Sequence, residues 1–437
     1  MSLARDENDI AAVFAEAIER CCDGVSFDTL AVAVSGGSDS LALMLLAQAW
    51  SLQSGKALKV LTVDHGLRAE SGAEARFVRD IARRNGLDHQ ILQWTTPRPQ
   101  GNLQKAARDA RYHLLAQARG EARVILTGHT LEDQAETVLM RLARGSGVDG
   151  LTGILERRWC PEGSAGQGYW IMRPLLNIKR EALRDYLRGQ GQTWVDDPSN
   201  DNTDFERIRL RKSMPLLSEL GLTSEALAQT GKRMAQVRAS LEQRVLVICR
   251  DAVVVDCGDL IIEHAIFARY DREIQCRVLE HCLGWVSSAD YMPRSNVLSA
   301  ALNTILEEKG TTLHGCLISV SKGKIRMCRE YQSIADIVMS CERGQSRTWD
   351  HRWFFSFKKN QEKSCGSMHI RALGHDGARQ LRQLSDTNLP FQSLKSIPGC
   401  FCDTQLVAVP YFMENSEIDI KFCTKPSWQR QPPIEAF

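Results

Sequence analysis

A chain of 437 residues is long enough for two or three domains, and with 43% hydrophobic and 25% charged residues it has an ordinary globular composition. The 55 basic and 53 acidic side chains give a formal charge of +2, which excludes a uniformly basic nucleic-acid coat but not a local basic patch. Its apolar runs fall far short of the roughly 18 residues of a membrane span, and the polar start MSLARDENDI lacks secretory character, so we expect a cytoplasmic protein.

Strands and helices alternate along the first part of the chain. We predict strands at 30–34, 58–63, 88–94 and 123–128, and helices at 40–50, 72–85, 102–118 and 131–144. Such alternation is typical of an α/β fold in which a doubly wound parallel sheet carries helices on both faces. Ligands bind at the carboxyl ends of the strands in these sheets, and the loops SGGSDS, DHGLR and TGHT all follow strands. The three loops are therefore expected to meet in one crevice.

The pattern changes after Pro198, and the pair Met214–Pro215 predicts a domain boundary. A long helical region, short strands and two further helices follow, and the runs WFFSF, MHIRAL, LVAVP and IDIKF then predict a small sheet. We expect three domains: a parallel-sheet nucleotide domain at 1–215, a mostly helical α+β middle domain at 216–343 and a sheet-rich C-terminal domain at 344–437.

The loop after the first strand has the composition of an anion site. Gly36 and Gly37 allow a tight turn that brings backbone N–H groups together, and the following helix adds its positive N-terminus. The polar side chains of this loop are those of Ser35, Ser38, Asp39 and Ser40. The Walker lysine is absent, and a plain serine-capped turn is the alternative. Asp39 argues against that alternative, because a carboxylate suits phosphate mainly where Mg²⁺ bridges the two.

The fourteen cysteines are scattered and include no C-x-x-C pair. We expect reduced, buried thiols and no structural metal or iron–sulfur cluster, since neither Cys21–Cys22 nor the C-x-C at Cys400 and Cys402 supplies the required spacing.

SGGSDS matches the signature of the PP-loop ATP pyrophosphatases, which split ATP into AMP and pyrophosphate while adenylating a carbonyl-type oxygen. Further segments resemble the tRNA(Ile)-lysidine synthetase family: VDHGLR, AARDARY, TGHTLEDQAETVLMRLARGSG, RPLL, and DDPSN followed by Arg207, Arg209 and Arg211. The resemblance is strong over 27–215 and weaker beyond. Thr130 is one departure, since the family often has Asn there.

The resemblance implies a ligase that uses ATP and Mg²⁺ to join L-lysine to the wobble cytidine of an isoleucine tRNA with a CAU anticodon. An adenylated base is the implied intermediate, and the product, lysidine, changes decoding from AUG to AUA and identity from Met to Ile. The second and third domains would contact the tRNA, the third on its acceptor side. The sequence leaves a homodimer open.

Acidic residues crowd the helix that follows TGHT. Thr130 and Asp133 fit a capping box, so Asp133 has a purely structural interpretation, but Asp133 and Glu136 also share a face that suits a cation. The resemblance implies that this face recognises lysine. We therefore expect the catalytic set to be Asp39, Asp133, Glu136 and Arg111, the last of which the resemblance selects from the arginines of its helix.

Residues at the other strand ends complete the predicted ATP site: Asp64, His65, Gly128 and His129. Alternatively, Asp64 and His65 form only a surface turn, and His129 only caps the turn after its strand. The tRNA contacts are predicted at Arg144 and at Arg207, Arg209 and Arg211, which share one side if their segment is extended. Alternatively, Arg144 only stabilises the C-terminus of its helix, and the other three arginines form a charged linker. We expect Arg141 to be structural and Asp196–Pro198 to form a turn.

Three other functions are alternatives for this chain. A PP-loop tRNA thiolase would need cysteines near the site, whereas the nucleotide domain contains only Cys21, Cys22 and Cys160. An amide-forming relative would bring a glutaminase domain, which the sequence does not show. A nucleotide sensor that is not an enzyme would leave the acidic helix face and the remaining 220 or so residues unexplained.

Overall fold

The computed structural model of the chain describes residues 9–67, 70–95, 103–161, 168–196, 206–289, 291–342, 344–358 and 368–422. Arg68 of VDHGLR and residues 197–200 of DDPSN, with the turn predicted there, lie outside the described residues. The chain divides between Ala239 and Ser240 into two compact units. None of the helices in the described ranges combines the length and the apolar character that a bilayer span requires.

The first unit is built on a six-stranded sheet in the order β3-β2-β1-β4-β6-β5. Its strands are β1 (Thr29–Ala33), β2 (Ala57–Asp64), β3 (Asp88–Gln93), β4 (Val124–Thr127), β5 (Arg157–Pro161) and β6 (Gly168–Met172). All neighbours pair in parallel except β5 and β6, which are antiparallel. Because β1 lies between β2 and β4, the strand order reverses at β1, and this switch point is where such sheets bind ligands.

Helices cover both faces of this sheet, which confirms the predicted doubly wound fold. They are α1 (Ile10–Cys22), α2 (Ser38–Ser54), α3 (Ser71–Arg84), α4 (Leu103–Ala118), α5 (Leu131–Ala143), α6 (Val148–Leu151), α7 (Arg180–Gly189), α8 (Glu206–Glu219) and α9 (Ser224–Ala252), the last of which continues into the second unit. One core packs α1, α2, α3 and α7 against the sheet, and a second core packs α4 on the opposite face. The apolar sequence of α2 is explained by burial, since Leu41, Leu43 and Met44 are fully buried.

Pro215, at the predicted domain boundary, lies inside α8. Met214 packs beside Ala135 and Val138 of α5, so tertiary contacts hold this helix in place next to its proline. Leu227 of α9 joins the same cluster, and the first half of α9 therefore belongs to the first unit. The division into three domains stays a prediction.

The second unit contains helices and three antiparallel sheets. The helices are α10 (His264–Phe267), α11 (Arg272–Ser287), α12 (Ser295–Leu306), α13 (Gly374–Leu384) and α14 (Phe391–Ser396). The strands are β7 (Val253–Asp256), β8 (Asp259–Glu263), β9 (Thr311–Leu313), β10 (Cys316–Ser321), β11 (Lys324–Arg329), β12 (Met339–Cys341), β13 (Ser346–Trp349), β14 (Trp353–Phe357), β15 (Met368–Ala372), β16 (Pro398–Cys402), β17 (Gln405–Ala408) and β18 (Ile418–Phe422).

The sheet orders are β7-β8-β11-β10-β9, β12-β15-β16-β17 and β13-β14-β18. The first sheet packs with α11 and α12 around one core, as expected for an α+β region. Residues 264–267, predicted to continue a strand, form the short helix α10. Cys402 is disulfide-bonded, against the expectation of reduced thiols. That expectation rested on the lack of an export signal, which concerns the compartment of the protein and not the geometry of its cysteines.

Candidate active site

The three predicted loops meet at the carboxyl ends of adjacent strands. β1, β2 and β4 are neighbours in the sheet, and they end at the phosphate loop Ser35–Ser40, at Asp64–His65 and at Gly128–His129. Gly128 lies so close to the phosphate loop that a Cβ built on it would be 3.2 Å from the backbone of Asp39 and from Cα of Ser40. That is tighter than ordinary van der Waals contact, so a residue without a side chain suits this position.

The phosphate loop is held by its own backbone and serines. Ser35 N–H donates to Ser40 Oγ at 3.1 Å, and Ser40 Oγ donates to the carbonyl of Gly37 at 3.0 Å. Gly36 has a φ of +93°, a left-handed conformation that favours glycine. The N-cap of α2 is Gly37 and not a serine, so the alternative of a serine-capped helix is not what the structure shows. A cap without a side chain leaves the first-turn N–H groups facing an anion site.

A segment beyond the sheet supports this loop from outside. The N–H of Val195 donates to the carbonyl of Gly36 at 3.0 Å, and a Cβ on Gly36 would lie 3.8 Å from Cγ2 of Val195. The neighbouring Trp194 carries the guanidinium of Arg184 over its ring at 6.0 Å. No sequence pattern indicates this contact, because Val195 is an ordinary apolar residue that lies far from the loop along the chain.

Asp39 of the phosphate loop is paired with an arginine that the sequence analysis did not select. Nε of Arg180 donates to Oδ2 of Asp39 at 2.9 Å, while Oδ1 of Asp39 accepts from Ser38 Oγ at 3.0 Å. Nη2 of the same guanidinium donates to Oδ1 of Asp133 at 3.2 Å. Arg180 therefore joins the phosphate loop to the acidic helix α5.

Arg180 could have been found from its position. It is the first residue of α7, where the helix dipole disfavours a cation, and a cation there points to compensating acids. Those acids are present: both carboxylate oxygens of Glu132 accept from its backbone N–H at 3.1 Å, in addition to the pairs with Asp39 and Asp133.

The capping box predicted at the start of α5 is present. Oδ2 of Asp133 accepts from the backbone N–H of Thr130 at 2.8 Å and from Thr130 Oγ1 at 3.3 Å. Its other oxygen accepts from Arg207 Nη2 at 2.7 Å as well as from Arg180. Asp133 thus has both the structural role and the outward contacts, and the two interpretations are compatible.

Residues 206–219 form the helix α8, so the condition under which all three arginines would share one side, an extended segment, is not met. Arg207 and Arg211 are four residues apart on one helical face, and both turn inward to Glu136. Arg209 is exposed elsewhere on the helix, which separates it from the other two. Arg144 is exposed at the end of α5 and forms an ion pair with Glu206.

The charges in the centre of the site balance. Three carboxylates, of Asp39, Asp133 and Glu136, are engaged by three guanidiniums, and Glu136 is only 1% exposed. The guanidiniums belong to Arg180, Arg207 and Arg211. Burial opposes ionisation of Asp133, but Arg207 and Arg180 outweigh it and lower its pKa. The acidic face therefore carries its negative charge already paired, and an incoming ammonium has to replace a guanidinium.

A second group of residues lies at the ends of β2 and β4. Burial is the main cause that lowers the pKa of His129 to about 3, and the positive charge of Arg173 is the second cause. The imidazole of His129 is therefore neutral at physiological pH. Its Nδ1 lies 3.1 Å from Thr127 Oγ1. Burial and the charge of Arg111 also lower the pKa of His65. The charge of Arg111 acts on the pKa of both histidines, so its guanidinium lies near the ends of β2 and β4.

Arg173 and Tyr112 were not selected from the sequence, although both lie in motifs that were noted. Arg173 is 3% exposed and donates from Nη1 to the carbonyl of Leu155 at 2.6 Å. The guanidinium of Arg111 lies 5.4 Å from the ring centre of Tyr112, and burial lowers the pKa of that arginine. Among the described residues neither Arg111 nor Arg173 forms an ion pair with a carboxylate, and such an excess of positive charge favours an anionic ligand.

Asp64 and His65 occupy the turn after β2. Oδ1 of Asp64 accepts from the N–H of Gly66 at 2.9 Å, which is the turn geometry weighed as the alternative. His65 packs edge-on against Trp94, with ring centres 6.0 Å apart. His65 Nδ1 is buried without a hydrogen-bond partner in the described residues, and such an atom is well placed to accept one from a ligand.

Comparisons with known proteins find relatives of this chain over most of its length. A family model described as the PP-loop domain matches residues 7–217. A tRNA(Ile)-lysidine synthase of Ruegeria pomeroyi is 38% identical over 384 residues, which cover 87% of this chain and 88% of that protein. The proteins of the same name from Hyphomonas neptunium and Wolbachia pipientis are 39% and 32% identical and are covered over 85% and 88% of their lengths. Among solved structures, a U34-tRNA thiolase from Methanococcus maripaludis aligns with 51% of this chain at 14% identity and a TM-score of 0.43, a likeness too slight for a functional argument.

Proposed function

The chain belongs to the tRNA(Ile)-lysidine synthase family, and we propose that it joins L-lysine to the wobble cytidine of an isoleucine tRNA with a CAU anticodon. ATP is the co-substrate and is split into AMP and pyrophosphate. The lysidine formed pairs with A instead of G, so the tRNA reads AUA instead of AUG and carries Ile instead of Met. The observation that carries the proposal is the single guanidinium of Arg180 between the phosphate loop and the acidic helix, which puts the two halves of such a reaction side by side.

In the first step, the 2-carbonyl oxygen of the cytosine attacks the α-phosphorus of ATP, and pyrophosphate leaves. The phosphate loop would bind the departing pyrophosphate through the N–H groups at the start of α2, whose cap, Gly37, has no side chain to occupy them. Arg111 and Arg173 add positive charge at the same edge of the sheet, and the neutral ring of His129 can donate or accept a hydrogen bond there. Positioning and charge stabilisation are the work of the protein in this step.

Asp39 is the residue that would hold Mg²⁺. Within the described residues, His, Cys, Asp and Glu side chains nowhere gather in threes that could hold a metal ion. Mg²⁺ commonly uses one or two carboxylates together with substrate phosphates, so a single carboxylate in the phosphate loop fits this metal. When bound, Mg²⁺ neutralises the charge that develops on the phosphates. Oδ2 of Asp39 would then have to be shared with or released by Arg180.

In the second step, the ε-amino group of lysine attacks C2 of the adenylated cytosine, and the C2–O bond breaks to release AMP. Asp133 and Glu136 are the candidates to hold the ammonium form of that lysine. The ammonium must lose one proton before the ε-amine can attack C2. Because Asp133 has a lowered pKa and stays ionised at physiological pH, it would hold the ammonium and pass that proton on to solvent instead of keeping it. The lysine enters by replacing a guanidinium, since Arg180, Arg207 and Arg211 occupy these carboxylates.

The tRNA contacts within the first unit are proposed at Arg144 and Arg209, which are exposed. Arg207 and Arg211, also predicted to bind tRNA, point into the site, so we propose that they act next to the reacting base and not along the backbone. The remaining tRNA contacts are proposed for the second unit. A cytoplasmic location follows from this proposed substrate, and a homodimer stays a prediction.

The test is incorporation of labelled L-lysine into a CAU-anticodon isoleucine tRNA transcript, with ATP and Mg²⁺ present and methionine tRNA as the control. We expect label in the isoleucine tRNA alone. Release of pyrophosphate on addition of tRNA without incorporation of lysine would keep the adenylation step but contradict lysine as the nucleophile. An absence of both signals would contradict the proposed reaction as a whole.

A further inference from the structure

Arg180 occupies a position that serves both halves of the site at once. Its side chain is 17% exposed, and the carboxylates that it bridges, Asp39 and Asp133, are 20% and 12% exposed. The three residues belong to the starts of three different helices, α2, α5 and α7. A single partly buried cation thus fixes the relative positions of the phosphate loop and the acidic helix.

The surroundings of Arg180 keep this cation in place despite its burial. Burial alone would lower its pKa, but Asp39 and Asp133 reverse the effect and raise it. The backbone N–H of Arg180 donates to both oxygens of Glu132, so the main chain of the residue is held as well as its side chain. Arg188, on the last turn of the same helix, offers a contrast, since it is half-exposed and pairs with Glu181 and Asp185 of its own helix and with the ring of Trp194.

We propose that Arg180 is a positioning residue that couples binding in the ATP half of the site to binding in the amine half. The proposal rests on the proposed function for the identity of the amine. Arg180 neutralises Asp39, whose charge would otherwise repel a polyphosphate approaching the loop. When an alkylammonium pairs with Asp133, it replaces Nη2 of Arg180 on that carboxylate. The guanidinium of Arg180 is then free to interact with Asp39 and with the phosphates of ATP. Lysine and ATP then strengthen the binding of each other, and by linkage the two effects are equal.

The first part of the experiment measures the affinity of the full-length protein for ATP by calorimetry, in Mg²⁺ and in EDTA, and needs neither lysine nor tRNA. Arg180→Gln is expected to weaken ATP binding about tenfold, whereas in an Asp39→Asn background the same change should cost less than about twofold, because the charge to be neutralised is gone. A loss below twofold in the wild-type background, or an equal loss in both backgrounds, would overturn the proposal.

The controls separate coupling from a defect in folding. Arg188→Gln removes a guanidinium from the same helix and should leave the affinity for ATP unchanged, and Arg180→Lys should restore part of the loss because it keeps the charge. All variants are compared by thermal unfolding. If Arg180→Gln lowered the melting temperature but bound ATP as tightly as the wild type, Arg180 would have a purely structural role, and the proposal would be overturned.

The second part adds L-lysine, with norleucine, which has the same chain without the ammonium, as the control. Saturating lysine should tighten ATP binding about fivefold in the wild type and in Arg180→Lys, and not at all in Arg180→Gln. An equal effect of lysine in the wild type and in Arg180→Gln, or no effect in either, would overturn the coupling. Failure of the proposed function would give a different result. The protein would then form no lysidine, but Arg180→Gln would still weaken ATP binding more in the wild-type background than in the Asp39→Asn background.

Discussion

Oε1 of Glu136 accepts a hydrogen bond of 2.7 Å from Nε of Arg211, and the carboxylate that receives it is almost completely buried. This pair joins α5 to α8, two helices whose sequences give no hint of each other. Since a buried carboxylate requires a cationic partner, the contact makes the docking of α8 depend on the acidic face proposed for lysine.

Glu136→Gln should therefore destabilise the protein as well as impair the reaction. Losing one partner of a fully buried ion pair lowers the free energy of unfolding by about 3–5 kcal/mol. The guanidiniums of Arg207 and Arg211 are about one-third exposed, so water can solvate them in the variant, and we expect a smaller loss of about 2 kcal/mol. Urea unfolding measures the change, and the KM for lysine should rise with it. Glu181→Gln, at an exposed ion pair on α7, is the matched control and should alter the free energy of unfolding by less than about 0.5 kcal/mol. Equal stability of the two variants would contradict the inferred anchoring.

Gly128→Ala should disturb the contact between the β4 loop and the phosphate loop. The new methyl group would lie 3.2 Å from backbone atoms of Asp39 and Ser40, which cannot rotate away as a side chain could. We expect ATP affinity to fall by at least about tenfold, with a loss of about 1–3 kcal/mol in the free energy of unfolding. Gly189→Ala is the control, because no atom lies within 4 Å of its Cβ position, and it should bind ATP normally. Normal ATP binding by Gly128→Ala would show that the two loops have room to separate.

Asp39→Asn and Asp133→Asn should each abolish turnover while the fold is retained. Asp39 would lose its charge toward Mg²⁺, and Asp133 its charge toward the ammonium of lysine, although each amide keeps the size of the side chain. The two variants should differ in the step that fails: pyrophosphate release should disappear with Asp39→Asn and persist in part with Asp133→Asn. Steady-state assays of both products, with circular dichroism as the check on folding, measure this. Near-normal turnover in either variant would refute the role assigned to that residue.

Asp133 should also shape the stability of the protein in acid. Its pKa is lowered in the folded state, so it contributes stability that is fully present above the unfolded value of roughly 3.9 and is lost as the pH falls through the lower folded value. The free energy of unfolding of the wild type should therefore drop more steeply below about pH 4 than that of Asp133→Asn. Urea titrations at several pH values compare the two slopes, and parallel acid limbs would contradict the ion pairs with Arg180 and Arg207.

Much of the first unit could be predicted because local patterns determine it. The strand and helix periods located β1 to β4 and α2 to α5, and the glycines and serines of the phosphate loop marked its chemistry. Arg180 was missed because its partner Asp39 lies 141 positions away along the chain, and a cation at the start of a helix indicates that acids are near without indicating which ones. The arginines of α8 were misjudged for a different reason. Five residues that alternate between arginine and apolar side chains fit the strand period, but Arg207 and Arg211 are also four apart and so fit one face of a helix.

That difference gives a test that distinguishes the arginines of α8. Arg209 lies on the exposed side of the helix, whereas Arg207 donates to both Asp133 and Glu136. Arg209→Ala should weaken tRNA binding with little change in the KM for lysine, and it should reduce the slope of log affinity against log salt by about one phosphate contact. Arg207→Ala should instead alter the KM for lysine and lower the free energy of unfolding, because it removes one guanidinium from two buried carboxylates.

Filter binding of the tRNA across a salt series, combined with lysine kinetics, separates the two outcomes. Lys212→Ala, at another exposed position of the same helix, shows whether loss of any surface cation gives the same salt effect. If Arg207→Ala changed only the affinity for tRNA and left the lysine kinetics intact, the contacts of Arg207 with Asp133 and Glu136 would have no role in lysine binding. The predicted basic stripe along the RNA backbone would then be the better account, because all three guanidiniums would act on the phosphates alone.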